Sequence, residues 1–216
     1  MEKNIIILDI ETTGLDPLQA EITEIGAIKV NSVSLEVVGA FDKLIKIANP
    51  VPEKITELTG ITSELLNTKG KNLKNVLKEL SEFCGGYDIY AHNANFDKGF
   101  IRKALDDNKI EYHQSDWVDT ITIFKKTFPN RTTYKLSSLI VDYKLADKED
   151  HRALSDAQHL LSLIKLARET ETADIVKNVV KKQKEKPFVD NAVTIKHTTA
   201  ETTTKKQKSK FSKIKK

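Results

Sequence analysis

The chain has 216 residues, of which 39% are hydrophobic and 31% charged, with eight Gly and five Pro. That composition excludes a collagenous or wholly low-complexity protein and leaves enough apolar material for one domain-sized core. The formal charge of +4 is unevenly spread: residues 177–216 hold thirteen lysines against Glu185, Asp190 and Glu201, so the first 176 residues are net acidic.

Asn4–Ile10 is a short β-branched run closed by Thr12-Thr13-Gly14, the pattern of a buried central strand. Glu24–Val30 and Val33–Ile47 are further β-branched stretches separated by Asn31-Ser32, which predicts a hairpin. Pro50 and Pro52 end that run and predict a loop. Leu73, Val76, Leu77, Leu80 and Cys84 recur at helical spacing and stop at Gly85-Gly86, predicting an amphipathic helix over 72–84. Tyr87–Ala91 reads as the next strand, Asn95–Asn108 and Thr120–Thr127 as helices. A last helix runs from about Ala153 through Arg168, with an extension over 173–186 that carries Ile175, Val176, Val179 and Val180. Early hairpin strands followed by strand–helix alternation argue for an α/β fold, a mixed sheet flanked by helices.

These elements assign residues 1–176 to one domain and 177–216 to a Lys-rich extension, disordered from about residue 186 on composition. Such a tail is either a solubilising end or a polybasic arm that attracts phosphates without regard to sequence. No window nears 18 uninterrupted apolar residues, which excludes a transmembrane helix. The N-terminus lacks a small-residue cleavage site, and the single cysteine, Cys84, suits a reducing compartment; both point to a cytoplasmic protein with no membrane partner.

Three groups of polar residues stand out. Asp9 and Glu11 lie two apart on a strand, so both carboxylates project from one face while Leu8 and Ile10 project from the other. Two adjacent carboxylates at the end of a buried strand repel unless a cation neutralises them, and oxygen ligands suit Mg²⁺ or Mn²⁺. The plainer alternative is a strand end near solvent. In His92-Asn93-Ala94-Asn95-Phe96-Asp97, Asp97 falls in the first turn of a helix at the carboxyl edge of the sheet. Taken alone, this group is better explained by helix capping, with Asn93 or Asn95 as N-cap and Asp97 near the positive helix end. His151-Arg152-Ala153-Leu154-Ser155-Asp156 opens the last helix, where Asp156 is otherwise a first-turn carboxylate. Taken together, four carboxylates and a histidine supply what phosphodiester cleavage needs: acidic ligands for two cations and a base near neutrality.

The three segments, in this order and at these spacings, resemble the motifs of the DEDDh 3′–5′ exonucleases, the family of the proofreading epsilon subunit of bacterial DNA polymerase III and of the exonuclease domain of the Gram-positive replicative polymerase. Ile55–Thr62, Asp119-Thr120 and Lys135–Leu139 extend the similarity over about residues 3–168. The resemblance implies a ribonuclease-H-like fold, with Asp9, Glu11, Asp97 and Asp156 as ligands of two divalent cations, Mg²⁺ or Mn²⁺, and His151 as general base. It implies that Thr12, Thr13 and Gly14 hold the terminal nucleotide, that Leu58 packs on its base, and that His92, Asn93 and Phe96 seat the 3′ end. The expected activity is removal of nucleoside 5′-monophosphates from DNA 3′ ends, preferably single-stranded or mispaired, in proofreading or repair, by a stand-alone exonuclease ahead of a dedicated proofreading subunit, with a DNA polymerase as a candidate partner. Trimming of RNA or short oligoribonucleotides is the alternative within the enzyme class, and a non-catalytic adaptor for 3′ ends the alternative outside it. No clamp-binding segment of the Gln-Leu-hydrophobic-Leu-Phe type is present, since Gln183 and Gln207 are followed by Lys.

Overall fold

The computed structural model describes residues 3–184, with side chains through Ala173. Five strands, β1 (Asn4–Thr12), β2 (Ile22–Asn31), β3 (Val37–Leu44), β4 (Ile89–Ala91) and β5 (Trp117–Asp119), form one sheet in the order β3-β2-β1-β4-β5. β1 pairs antiparallel with β2 and β2 antiparallel with β3, while β4 and β5 run parallel to β1. The helices are α1 (Glu53–Thr59), α2 (Ser63–Lys69), α3 (Leu73–Cys84), α4 (Ala94–Asp107), α5 (Thr120–Thr127), α6 (Leu136–Asp142) and α7 (Ala153–Lys184).

The alternation along β1 sets the two layers. Ile6, Leu8 and Ile10 pack with Val76, Leu77 and Leu80 of α3 and with Phe100 and Ile101 of α4. Ile5 and Ile7 turn the other way, onto Phe124 of α5, Leu139 and Ile140 of α6, and Ala157 and Leu160 of α7. The same alternation sends Asp9 and Glu11 toward the α7 side. A strand buried on both faces needs an unbroken apolar run, which β1 has up to Leu8. Cys84 is one of these packed residues, and burial pushes its thiol up to about 12, so it stays protonated and inert.

The expected strands, α3, α4, α5 and the last helix are all present. Four features differ from expectation. The Pro50–Pro52 stretch leads into α1 and α2 instead of a loop, because proline's fixed φ suits the start of a helix as well as a turn. Thr62 then caps α2, its side chain accepting from the Leu65 amide. The hairpin turn is longer than Asn31-Ser32: the Asn31 side chain accepts from the amides of Val33 and Ser34, and β3 begins only at Val37. β5 and α6 were not expected; each is short, and periodicity is weakest in short elements. The domain boundary expected at residue 176 lies inside α7, and the expected disorder from about residue 186 and the polybasic arm lie outside the described residues.

Candidate active site

The polar residues gather at the carboxyl end of β1. Across the β1–β2 ladder, Asp9 faces Gly26 and Glu11 faces Glu24. Gly26 decides where α7 begins. A Cβ there would lie 2.1 Å from the Leu154 amide nitrogen and 2.2 Å from the Ala153 carbonyl carbon, so only glycine lets the helix rest on the strand. That close approach carries the start of α7 over β1. The side-chain ligand atoms of Glu11, His151 and Asp156 then lie within 4.8 Å of one another. Asp97 arrives from α4, which follows β4 directly; its buried carboxylate accepts from the Ile10 backbone amide and from its own. The tie to Ile10 holds it against β1, where its charge acts on Asp9 and, more weakly, on Glu11.

Crowding and desolvation disfavour the ionised forms of all four carboxyls. Asp9 is raised well above the ordinary carboxylate range by burial and then by Asp97, Glu11 and Asp156. Glu11 is pushed up to about 8 by burial and by Asp156 and Glu24. Burial likewise raises Asp97 to about 8, against the opposing pull of its two amide donors. Asp156 reaches about 7 through burial and the nearby Glu149, Asp150 and Glu24. No Lys or Arg forms an ion pair with any of the four among the described residues. Asp156 Oδ1 is buried without a hydrogen-bond partner, and the nearest imidazole nitrogen, His159 Nδ1, is 3.6 Å away. An all-oxygen donor set, mutual repulsion and an unpartnered buried oxygen fit divalent cations of the Mg²⁺ or Mn²⁺ kind.

Residues that the sequence did not point to hold this arrangement in register. Glu24, 1% exposed, receives Arg152 Nε at 3.1 Å on both oxygens, Arg152 Nη2 at 2.5 Å and the Ala153 amide at 2.9 Å. It therefore caps α7 and anchors the residue between His151 and Ala153. His151 has φ 51°, a left-handed conformation costly for a non-glycine residue, which the anchoring of the two residues after it sustains. Glu149 Oε2 stands 3.9 Å from His151 Nε2 and adds a fifth carboxylate to the site's margin. The only sequence signal for Glu24 is a carboxylate opening an otherwise apolar strand.

The residues expected around the terminal nucleotide are placed more variously. Thr12 is buried and donates its hydroxyl proton to the Gly14 carbonyl at 2.6 Å, and Thr13 Oγ1 accepts from the Glu21 amide at 2.9 Å. Both hydroxyls thus shape the turn that follows the carboxylates. Asn93 occupies the left-handed region with φ 62°, starts α4, and donates its amide to Asp119. Phe96 packs at a tilt against Phe100, with ring centroids 5.0 Å apart. Leu58 stands half exposed on α1. In His92, Nδ1 is 3.1 Å from Thr120 Oγ1 and Nε2 is 2.7 Å from the Tyr134 carbonyl. With both nitrogens occupied, it ties the segment before α6 to the sheet. Burial lowers its pKa. His92, Asn93, Lys125, Lys135 and His151 line an open cleft of about 840 Å³ beside the carboxylates.

Residues 6–164 match the family model for the exonuclease domain described as RNase_T: Exonuclease. The chain belongs to this exonuclease family. The resemblance to DEDDh-type 3′–5′ exonucleases drawn from the three motifs stands on that match. Similar curated proteins include DNA polymerase III PolC-type of Thermotoga maritima, 37% identical over 153 residues that make up 71% of this exonuclease and 11% of that protein. The Clostridium perfringens counterpart is 32% identical over 190 residues, or 88% of this exonuclease and 12% of that protein. The chain thus spans about a tenth of these relatives. Among solved structures, E. coli Exonuclease I in complex with a dA16 oligonucleotide aligns with a TM-score of 0.67 and 19% identity, covering 78% of this exonuclease and 41% of that chain. This likeness bears out the expected ribonuclease-H-like mixed sheet. Among the described residues no helix is long and apolar enough to cross a membrane.

Proposed function

We propose that the chain acts as a divalent-cation-dependent 3′–5′ exonuclease on DNA, on single-stranded or mispaired ends, and releases nucleoside 5′-monophosphates. One observation carries the reading: carboxylates from β1, α4 and α7 converge at one strand end with an imidazole beside them, although up to 147 positions separate them in the chain. Asp9, Glu11, Asp97 and Asp156 hold the cations. When bound, two Mg²⁺ or Mn²⁺ ions supply the positive charge that stabilises the attacking and departing oxygens of an in-line displacement.

His151 accepts the proton of the attacking water, with Glu149 Oε2 3.9 Å from its Nε2. The turn at Thr12, Thr13 and Gly14, with Leu58, Asn93 and Phe96, holds the terminal nucleotide. His92 acts behind them, keeping the far wall of the cleft attached. The catalytic domain comprises residues 1–176, with 177–216 as an extension, and it works on 3′ ends in the vicinity of a DNA polymerase, in replication or repair.

The test is a gel time course on 5′-labelled single-stranded DNA and matched RNA, with Mg²⁺, Mn²⁺ or EDTA, beside an Asp9→Ala control. A cation-dependent ladder that shortens from the 3′ end, faster on DNA and absent in the control, is expected. Faster shortening of RNA would transfer the activity to the exoribonuclease alternative. No shortening of either strand would overturn the assignment as a self-sufficient enzyme.

A further inference from the structure

Beyond β2, at the outer edge of the sheet, lies a second polar cleft of about 210 Å³, lined by Asp42, Lys43, Leu44, Lys69, Lys71 and Arg152. Four cations face one carboxylate in a domain that is otherwise net acidic. The lysines are not all held in the same way. Lys43 is paired with Glu79 at 2.9 Å, whereas Lys69 and Lys71 form no ion pair among the described residues. Arg152 spends Nε and one Nη2 proton on Glu24; its remaining donors are open, and the side chain is 44% exposed.

The backbone that carries the two free lysines is fixed. Gly70 packs so tightly that a Cβ would lie 2.3 Å from the Leu66 carbonyl oxygen and 2.7 Å from the Lys46 nitrogen. The Lys71 amide donates to the Leu44 carbonyl at 2.8 Å, and the Lys46 amide donates to the Lys71 carbonyl at 2.9 Å. Lys69 and Lys71 therefore leave a constrained segment that is stitched to the end of β3. A solvated surface run would need no such anchoring.

The register relates this cleft to the catalytic carboxylates. Leu44 pairs with Glu24, and Glu24 with Glu11, so the cleft wall is two strands from the site, roughly 10 Å at the usual strand spacing. Arg152 joins the two regions, being the neighbour of His151 and part of the cleft lining. We propose that this cleft is a second phosphate subsite, which takes a backbone phosphodiester of the same strand a nucleotide or two from the scissile bond. The inference rests on the exonuclease reading given above and adds to it a dependence on substrate length. Lys69 and Lys71 act on affinity for the strand and leave the chemical step alone.

The experiment compares the full chain with the Lys69→Gln, Lys71→Gln double variant on two substrates. The p-nitrophenyl ester of thymidine 5′-monophosphate reaches the catalytic site alone; a single-stranded oligodeoxynucleotide reaches the cleft as well. The expected result is unchanged turnover of the ester, unchanged kcat on the oligonucleotide, and a KM on the oligonucleotide raised about tenfold at low salt. Loss of two phosphate-facing charges also makes the salt dependence of kcat/KM shallower, by a slope of about 1.4. The Lys69→Arg, Lys71→Arg pair should retain the original KM. An oligonucleotide KM that does not move while the ester is still cleaved would overturn the subsite, as would equal impairment on both substrates. If the unaltered chain cleaves neither substrate, the exonuclease reading itself fails and takes the subsite with it.

Discussion

Glu11 and Glu24 face each other across the β1–β2 ladder, and the fold treats them in opposite ways. Glu24 is sealed from water but has its own cation, Arg152, and the Ala153 amide. Glu11 has carboxylates for neighbours and is pushed up to about 8. A buried carboxylate that serves the architecture is neutralised by the chain, whereas on the proposed reading one that serves chemistry is left in conflict until a cation arrives. The distinction marks the working side of the strand pair without reference to any motif.

Substitutions that treat the two sides alike should give unlike results. Asp9→Asn keeps the shape and removes a charge. It should abolish cation-dependent cleavage, yet raise the Tm of the cation-free protein, because an amide escapes the cost of burying or protonating a carboxylate there. A lowered Tm in EDTA would break the comparison. His151→Gln should reduce kcat by ~10²–10⁴-fold, the usual share of a general base. Mn²⁺ binding, followed by calorimetry, should stay near the original; retained kcat at neutral pH would remove His151 from the base role.

Gly26→Ala reaches the same site through the backbone. The added methyl has nowhere to go but into the first turn of α7, costing ~1–3 kcal/mol of stability. Displacement of His151 and Asp156 should lower kcat about 10²-fold, with KM for the terminal nucleotide much less affected. Glu24→Gln should lower the Tm, by an amount corresponding to about 2 kcal/mol, since Arg152 and the Ala153 amide lose a charged acceptor. Its sign is opposite to that of Asp9→Asn, and equal signs would show that the two sides of the ladder do not differ.

The smallest effect is on pH dependence. Glu11 and Asp97 rise to about 8 and Asp156 to about 7 in the folded protein, so without cations the native state holds these protons more tightly than the unfolded chain does. Their contribution to stability is complete below the ordinary carboxylate range and is lost as pH rises through about 7 to 8. In EDTA the Tm should therefore fall between pH 5 and 8. Saturating Mn²⁺ should remove or reverse that fall, because the cation binds the deprotonated forms. A Tm equally insensitive to pH with and without Mn²⁺ would contradict the crowding described at the site.

Much of this was legible from residue order. Alternation on β1 puts Asp9 and Glu11 on one face, and the helix starts after Asn93 and Arg152 locate Asp97 and Asp156. What a linear pattern does not carry is pairing across strands. Glu24 reads as one more residue of a β-branched strand until its register opposite Glu11 is known, and Gly26 reads as a weak point in that strand until α7 is seen resting on it. The partners of His92 were hidden for a similar reason. A histidine beside a motif suggests a substrate contact, yet its partners, Thr120 and Tyr134, lie 28 and 42 residues downstream. Helices α1 and α2 were hidden by prolines, whose fixed φ serves turns and helix starts alike.

If His151 is the base and Asp156 the fourth ligand, as proposed, the docking of α7 on β1 and β2 also governs when the protein becomes an enzyme. Three of the four carboxylates have been synthesised by residue 97, but the base and the fourth carboxylate follow only at 151 and 156, on the last described helix. At ordinary synthesis rates of ~5–20 residues per second, some seconds separate the two. Until α7 settles on Gly26, a growing chain can expose a partly formed acidic cluster but no complete cutting site. The order of the elements thus delays nuclease activity until nearly the whole domain has folded.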